Sequence, residues 1–124
     1  MDDAVTHALG TDRTVDITTT GRRSGEQRRI EIWMHHLDGR HYITGMPGRR
    51  SWYANLVADP RFVLHLKESA HADLEATARP VTDAAERRAV LEPVLAGLGR
   101  EPQLDAWLDG APLVQFELSD PAET

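Results

Sequence analysis

Apolar and polar positions alternate over most of this chain, and short turns interrupt the alternation. Thr14–Thr20 is rich in β-branched residues and suits a strand. A second strand is expected over residues 28–36, with Ile30, Ile32 and Met34 on one face. Leu37-Asp38-Gly39-Arg40 predicts a tight hairpin, because Asp-Gly accepts the positive φ values of a type I′ turn. Residues 41–46 form the return strand, and residues 46–50 a loop. Ser51 is placed to cap a short helix over residues 52–58, which Pro60 prevents from continuing. Phe62, Leu64 and Leu66 point inward from a strand over residues 61–67. Residues 71–81 alternate most cleanly, Ala72, Leu74, Ala76 and Ala78 against Asp73, Glu75, Thr77 and Arg79. Asp83 and Glu86 fit a capping box, followed at helical spacing by Leu91, Val94, Leu95 and Leu98. Pro93 should interrupt or kink that helix, and Gly97 and Gly99 should end it. A short helix over residues 102–108 stops at Gly110, and residues 113–118 make a last strand. Residues 1–12 carry little pattern and read as a loose or weakly helical lead-in.

The expected class is therefore α+β, mainly β. Six strands carry a short helix between the third and fourth, and two helices precede the last. Hairpin connections dominate, so the sheet should be antiparallel and curled into a barrel. No long crossover and no G-x-G-x-x-G occurs, which excludes a dinucleotide-binding doubly wound sheet. The 124 residues suit one domain, taken as residues 1–124. There is no cysteine, hence no disulfide framework and no thiolate chemistry. No apolar run is long enough to span a membrane, and the acidic start Met1-Asp2-Asp3-Ala4 is unlike a signal peptide, so a cytoplasmic location is expected.

Charge changes the picture further. The net charge of −6 argues against a general nucleic-acid binder. Yet residues 13–50 carry an excess of arginine over acid, a positive island suited to one small anion. At its centre Arg22, Arg23, Arg28 and Arg29 surround Gly21, Ser24 and Gly25. Glycines let backbone N–H groups converge on an oxyanion, serine adds a hydroxyl, and guanidinium forks match phosphate or carboxylate oxygens in pairs. A second cluster, Ser51-Trp52-Tyr53-Ala54-Asn55-Leu56, follows about one strand pair later. Against these stand plainer readings. Trp52 and Tyr53 fit core packing, Asn55 a backbone contact, and Arg49 and Arg50 a solvated loop. His35, His36 and His41 flank the hairpin, but His35 and His36 point to opposite faces of a strand, and no metal site is expected.

Thr18-Thr19-Thr20-Gly21-Arg22-Arg23-Ser24-Gly25 with Arg28, then Trp52-Tyr53-x-Asn55-Leu56, then Asp59-Pro60, resembles the deazaflavin-dependent nitroreductase family. These are small split-barrel proteins related to the flavin-binding pyridoxamine-phosphate oxidases. The resemblance implies a split β-barrel and a bound deazaflavin, coenzyme F-420, whose reduced form donates a hydride to an enone, quinone or nitro compound. Arg22, Arg23, Ser24 and Arg28 would hold its phosphate and glutamate tail. Met46, Gly48, Arg49 and Arg50 would lie along the cofactor, and Trp52 and Asn55 on the helix closing the other side. No conventional catalytic residue is identified. Two alternatives remain: an FMN-dependent oxidoreductase of the same fold, and a non-catalytic binder of an anionic small molecule. Split-barrel relatives are often dimers, so a homodimer is expected by analogy.

Overall fold

The computed structural model describes residues 2–119. The chain opens with helix α1 (Asp3–Thr11), whose N-terminus is capped by the Asp2 carboxylate accepting the Ala4 N–H at 2.7 Å. The lead-in is thus a formed helix. Its apolar stripe is only Val5, Ala8 and Leu9, too brief to show as a period, yet all three are buried against the barrel.

Six strands follow: β1 (Thr14–Thr20), β2 (Gln27–Leu37), β3 (Arg40–Thr44), β4 (Arg61–Leu66), β5 (Ala72–Pro80) and β6 (Leu113–Leu118). They pair antiparallel in the closed order β1-β2-β3-β6-β5-β4, with β1 bonded to both β2 and β4. Ile17 therefore faces Ile30 across one ladder and Leu64 across the other. The alternating residues fill the barrel: Val15, Ile17, Met34, Ile43, Phe62, Leu64, Ala76, Ala78, Val114 and Phe116 are all buried. Asp38 and Gly39, at φ 51° and 75°, make the expected β2–β3 turn.

Between β3 and β4 lies α2 (Ser51–Ala58), which plugs the barrel with Trp52 and Leu56. Ser51 is the first residue of this helix and does not cap it; Arg50 occupies the cap position, with no side-chain cap bond. Helix α3 (Ala84–Leu98) runs unbroken through Pro93. Burial of Val90, Leu91, Val94 and Leu95 on either side offsets the backbone bond that the proline removes. Gly97 lies inside the last turn, and Gly99 alone, at φ 69°, ends the helix. Asp83 caps α3 through the Glu86 N–H, but the Glu86 carboxylate turns to Arg79 instead of completing a capping box. A 3-10 turn (Glu101–Gln103) leads to α4 (Leu104–Gly110).

Helices α3 and α4 form a second layer on the outer faces of β3 and β6, burying Tyr42, Leu113, Val90, Leu91, Val94, Leu95 and Trp107 together. Arg87 ties this layer down. Its guanidinium donates to four backbone carbonyls, those of Val81, Trp107, Leu108 and Ala111, at 2.7 to 3.2 Å.

One asymmetry in the sheet shapes everything below. Residues 27–33 of β2 pair with β1, and residues 34–37 pair with β3. Among the described residues no strand pairs with the far edge of residues 27–33. Here the barrel is split. Ile30, expected to face inward with Ile32 and Met34, lies on this one-sided stretch across from the buried Ile17 and is 37% exposed, and only Met34 of the three is fully buried.

Candidate functional site

The β1–β2 turn closes tightly. The Gly21 N–H donates to the Glu26 carbonyl at 2.7 Å, and the Gly25 N–H to the Gly21 carbonyl at 2.8 Å. Ser24 Oγ accepts the Glu26 N–H at 3.1 Å. A Cβ on Gly21 would sit 2.8 Å from Ser24 Oγ and 3.2 Å from the Glu26 carbonyl, so a side chain there would push the Ser24 hydroxyl aside and crowd the turn. Gly25 takes φ 75°, a left-handed conformation that glycine adopts without strain. Among the described residues the N–H groups of Arg23 and Ser24 find no protein acceptor. Neither do the guanidiniums of Arg23 and Arg28.

Helix α2 fixes this turn. Asn55 is only 3% exposed. Its Oδ1 accepts both the Arg22 N–H at 3.2 Å and Arg22 Nη1 at 2.9 Å, while its Nδ2 donates to Thr19 Oγ1 at 3.1 Å. Asn55 thus anchors Arg22, and its own polar atoms are committed. Gly21, Arg22, Arg23, Ser24, Arg28, Ser51 and Asn55 line one cavity of about 320 Å³. It contains three arginines and no acid, so it presents donors and positive charge to whatever enters.

The remaining expected residues go elsewhere. Trp52 is buried in the barrel core, edge-on to Tyr53 with ring centroids 6.0 Å apart. Gly48, Arg49 and Arg50 line a second cavity of about 380 Å³ with Tyr53, Thr82 and Arg87. Arg50 turns back on its own loop, donating to the Met46 carbonyl at 3.2 Å. Met46, 56% exposed, belongs to a third cavity.

That third cavity, of about 200 Å³, was not foreseen from the sequence. It lies on the outside of the barrel between Trp33 and His35 of β2, Thr44, Gly45 and Met46 after β3, and Leu98, Arg100 and Trp107 of the helical layer. Strand alternation turns Trp33 and His35 outward together, two residues apart. An indole on the face where a solvated residue belongs is the signal that could have found it; Trp33 is 44% exposed. The Arg13 guanidinium lies 5.1 Å from the Trp33 ring centroid. Burial, with Arg13 nearby, lowers the His35 pKa from 6.5 to about 4, so the imidazole is neutral at physiological pH.

The arginine-lined and aromatic cavities sit at the two ends of the free edge of β2. Arg28 lines the first and Trp33 the second, five residues apart, or about 17 Å along a strand and on opposite faces of it. Ser51 and Met46 line the same two cavities from the facing loop.

Fold and comparison together give the chain a split-barrel architecture. An FAD-binding protein from Mesorhizobium loti superposes with a TM-score of 0.71 at 12% identity, over 97% of this chain and 91% of that one. A conserved hypothetical protein from Mycobacterium tuberculosis gives 0.73 at 18%, over 97% and 82%. An F420-H2-dependent reductase gives 0.60 at 20%, over 86% and 95%. At these identities the likeness is one of fold. No curated protein matches the sequence. The family is settled by sequence: residues 3–99 match the F420H(2)-dependent quinone reductase model, and the chain belongs to that family. It is therefore a member of an oxidoreductase family whose cofactor is the deazaflavin F-420, as the resemblance implied.

Proposed function

We propose that this chain binds coenzyme F-420 along the free edge of β2 and reduces a planar carbonyl acceptor, a quinone in the first instance. The observation that carries the reading is the pairing of two unlike cavities on one edge: three arginines around a glycine cradle at one end, aromatic walls at the other. The cofactor is a long phosphate ester with a glutamate tail, so it needs cations at one end only. The donor set fits. The phosphate and tail would meet Arg22, Arg23, Arg28, the Ser24 hydroxyl and the unpartnered N–H groups of the turn. Asn55 would hold Arg22 in place, and Gly21 would keep the backbone clear. Arg49 and Arg50, in the neighbouring cavity, would add charge at longer range. Trp52 would support α2 from within the core.

When bound, the reduced deazaflavin supplies the hydride. This chain's residues orient the two reactants and keep water from the aromatic end, where Trp33, Met46, Leu98 and Trp107 form apolar walls. The quinone is preferred over an enone or a nitro compound because the family takes its description from quinones. The same reading treats residues 1–124 as one domain acting as a homodimer. One neighbour, with a TM-score of 0.61 at 21% identity over 86% of this chain, is a domain-swapped dimer.

Calorimetric titration with F-420 and with FMN tests the cofactor, and oxidation of reduced F-420 by 1,4-naphthoquinones tests the reaction. Expected are tighter binding of F-420 and turnover with the quinone. FMN binding without detectable F-420 binding overturns the reading. Sedimentation velocity reads the dimer.

A further inference from the structure

The aromatic cavity contains few polar side chains, and two of them are already committed. The Thr44 hydroxyl donates to the Pro112 carbonyl at 2.6 Å. The Trp107 Nε1–H donates to Gln103 Oε1 at 3.3 Å. Among the described residues three polar side chains lining the cavity have neither a hydrogen bond nor an ion pair: Trp33, whose ring instead meets Arg13, and the two most polar, His35 and Arg100. No carboxylate lines it. The half-buried His35 imidazole keeps its ring nitrogens open to the cavity, where an entering oxygen can take its N–H.

We propose that His35 and Arg100 select the acceptor: the imidazole N–H of His35, backed by the Arg100 guanidinium, holds an oxygen of a planar carbonyl compound between the Trp33 and Trp107 walls. This rests on the proposed reductase reading and names residues for its acceptor side. A ring that accepts a hydride gains negative charge on its carbonyl oxygen, and donors lining the cavity that holds it would stabilise that charge. The groups facing His35 agree. Arg13 comes from the segment before β1, Arg100 follows α3, and Tyr42 pairs directly across from His35 on β3. Burial, with Arg13 nearby, keeps the imidazole unprotonated down to about pH 4, so it acts as a donor of one N–H and carries no charge. Arg100 and Trp107 lie beyond residues 3–99, so the family match does not assign this role to them.

The test uses the protein without cofactor, so that it is independent of F-420 chemistry. Equilibrium dialysis compares 2-methyl-1,4-naphthoquinone with 2-methylnaphthalene, which has the same rings and no oxygens. The native protein should favour the quinone by about tenfold, the worth of one or two hydrogen bonds. His35→Leu should bring the ratio to about one, while His35→Gln, which keeps an N–H donor, should retain most of it. Arg100→Gln, at an exposed position that the fold does not depend on, should lower it about threefold. The native ratio should be constant between pH 8 and 5. An unchanged ratio in both His35→Leu and Arg100→Gln overturns the proposal, as does a native ratio that titrates near pH 6.5. Each variant is also titrated with F-420. Native protein that keeps the quinone preference but binds no F-420 would sink the cofactor reading alone.

Discussion

The Gly21–Gly25 turn and the aromatic cavity are both concave and electropositive, but they are joined to the fold in opposite ways. At the turn the arginines project from a surface hairpin, and the tie to the core is a single side chain, Asn55. At the aromatic end the walls are themselves core: Trp107 is 4% exposed and Leu98 packs on the same cluster. A site can therefore be built from residues that the fold does not need or from residues that it cannot spare, and this chain uses one strategy at each end.

That contrast can be broken by substitution. Trp107→Ala should have the largest effect, a loss of about 3–5 kcal/mol in urea denaturation, because it opens a cavity in the outer layer. The folded fraction should still bind F-420 at the turn. Arg23→Ala should do the reverse. Stability should stay within about 0.5 kcal/mol, while calorimetry shows F-420 affinity weaker by about ten- to a hundred-fold, or roughly 1.5–3 kcal/mol. Equal stability losses in these two variants would erase the distinction. Asn55→Ala should fall between them. It removes the partner of the buried Thr19 hydroxyl and empties a buried position, costing about 1–3 kcal/mol of stability, and lowers affinity because Arg22 loses its anchor.

Two smaller effects sharpen the comparison. The folded pKa of His35, about 4, lies below the unfolded value of 6.5. Between those values the unfolded chain takes up a proton that the folded chain refuses, so stability falls as pH drops from about 6.5 to 4. His35→Leu should show a shallower acid-side decline in thermal melts, and an unchanged slope would mean that the ring is better solvated than its surroundings indicate. Last, Arg49→Gln with Arg50→Gln should only slightly flatten the salt dependence of F-420 binding, since both line the neighbouring cavity. A large flattening would bring that loop into direct contact with the tail.

The polar end was legible in the sequence because its chemistry is local. Gly21 to Arg28 are nearly consecutive, so one short motif carries the whole donor set, and strand alternation carried the barrel in the same way. Asn55 was visible as a candidate, but its attachment to Arg22 depends on how α2 docks. The aromatic end was hidden for the converse reason. Trp33, Met46, Leu98 and Trp107 come from four separate stretches that converge only when the helical layer folds over β2. Local rules also mislead where burial outweighs propensity, as at Pro93 inside α3. They mislead again where a strand is paired on one side only, as at Ile30.

Arg87 gives that layering a consequence for how such a protein can change over time. It lies inside the family-matching span, yet it grips the carbonyls of Trp107, Leu108 and Ala111 beyond it. It holds main-chain atoms only, so it is indifferent to which side chains the gripped segment carries. Within the segment after Gly99, packing fixes Trp107, and exposed positions such as Arg100 are the ones free to change on that latch. New side chains there can retune what the enzyme reduces while the cofactor end keeps its inherited form.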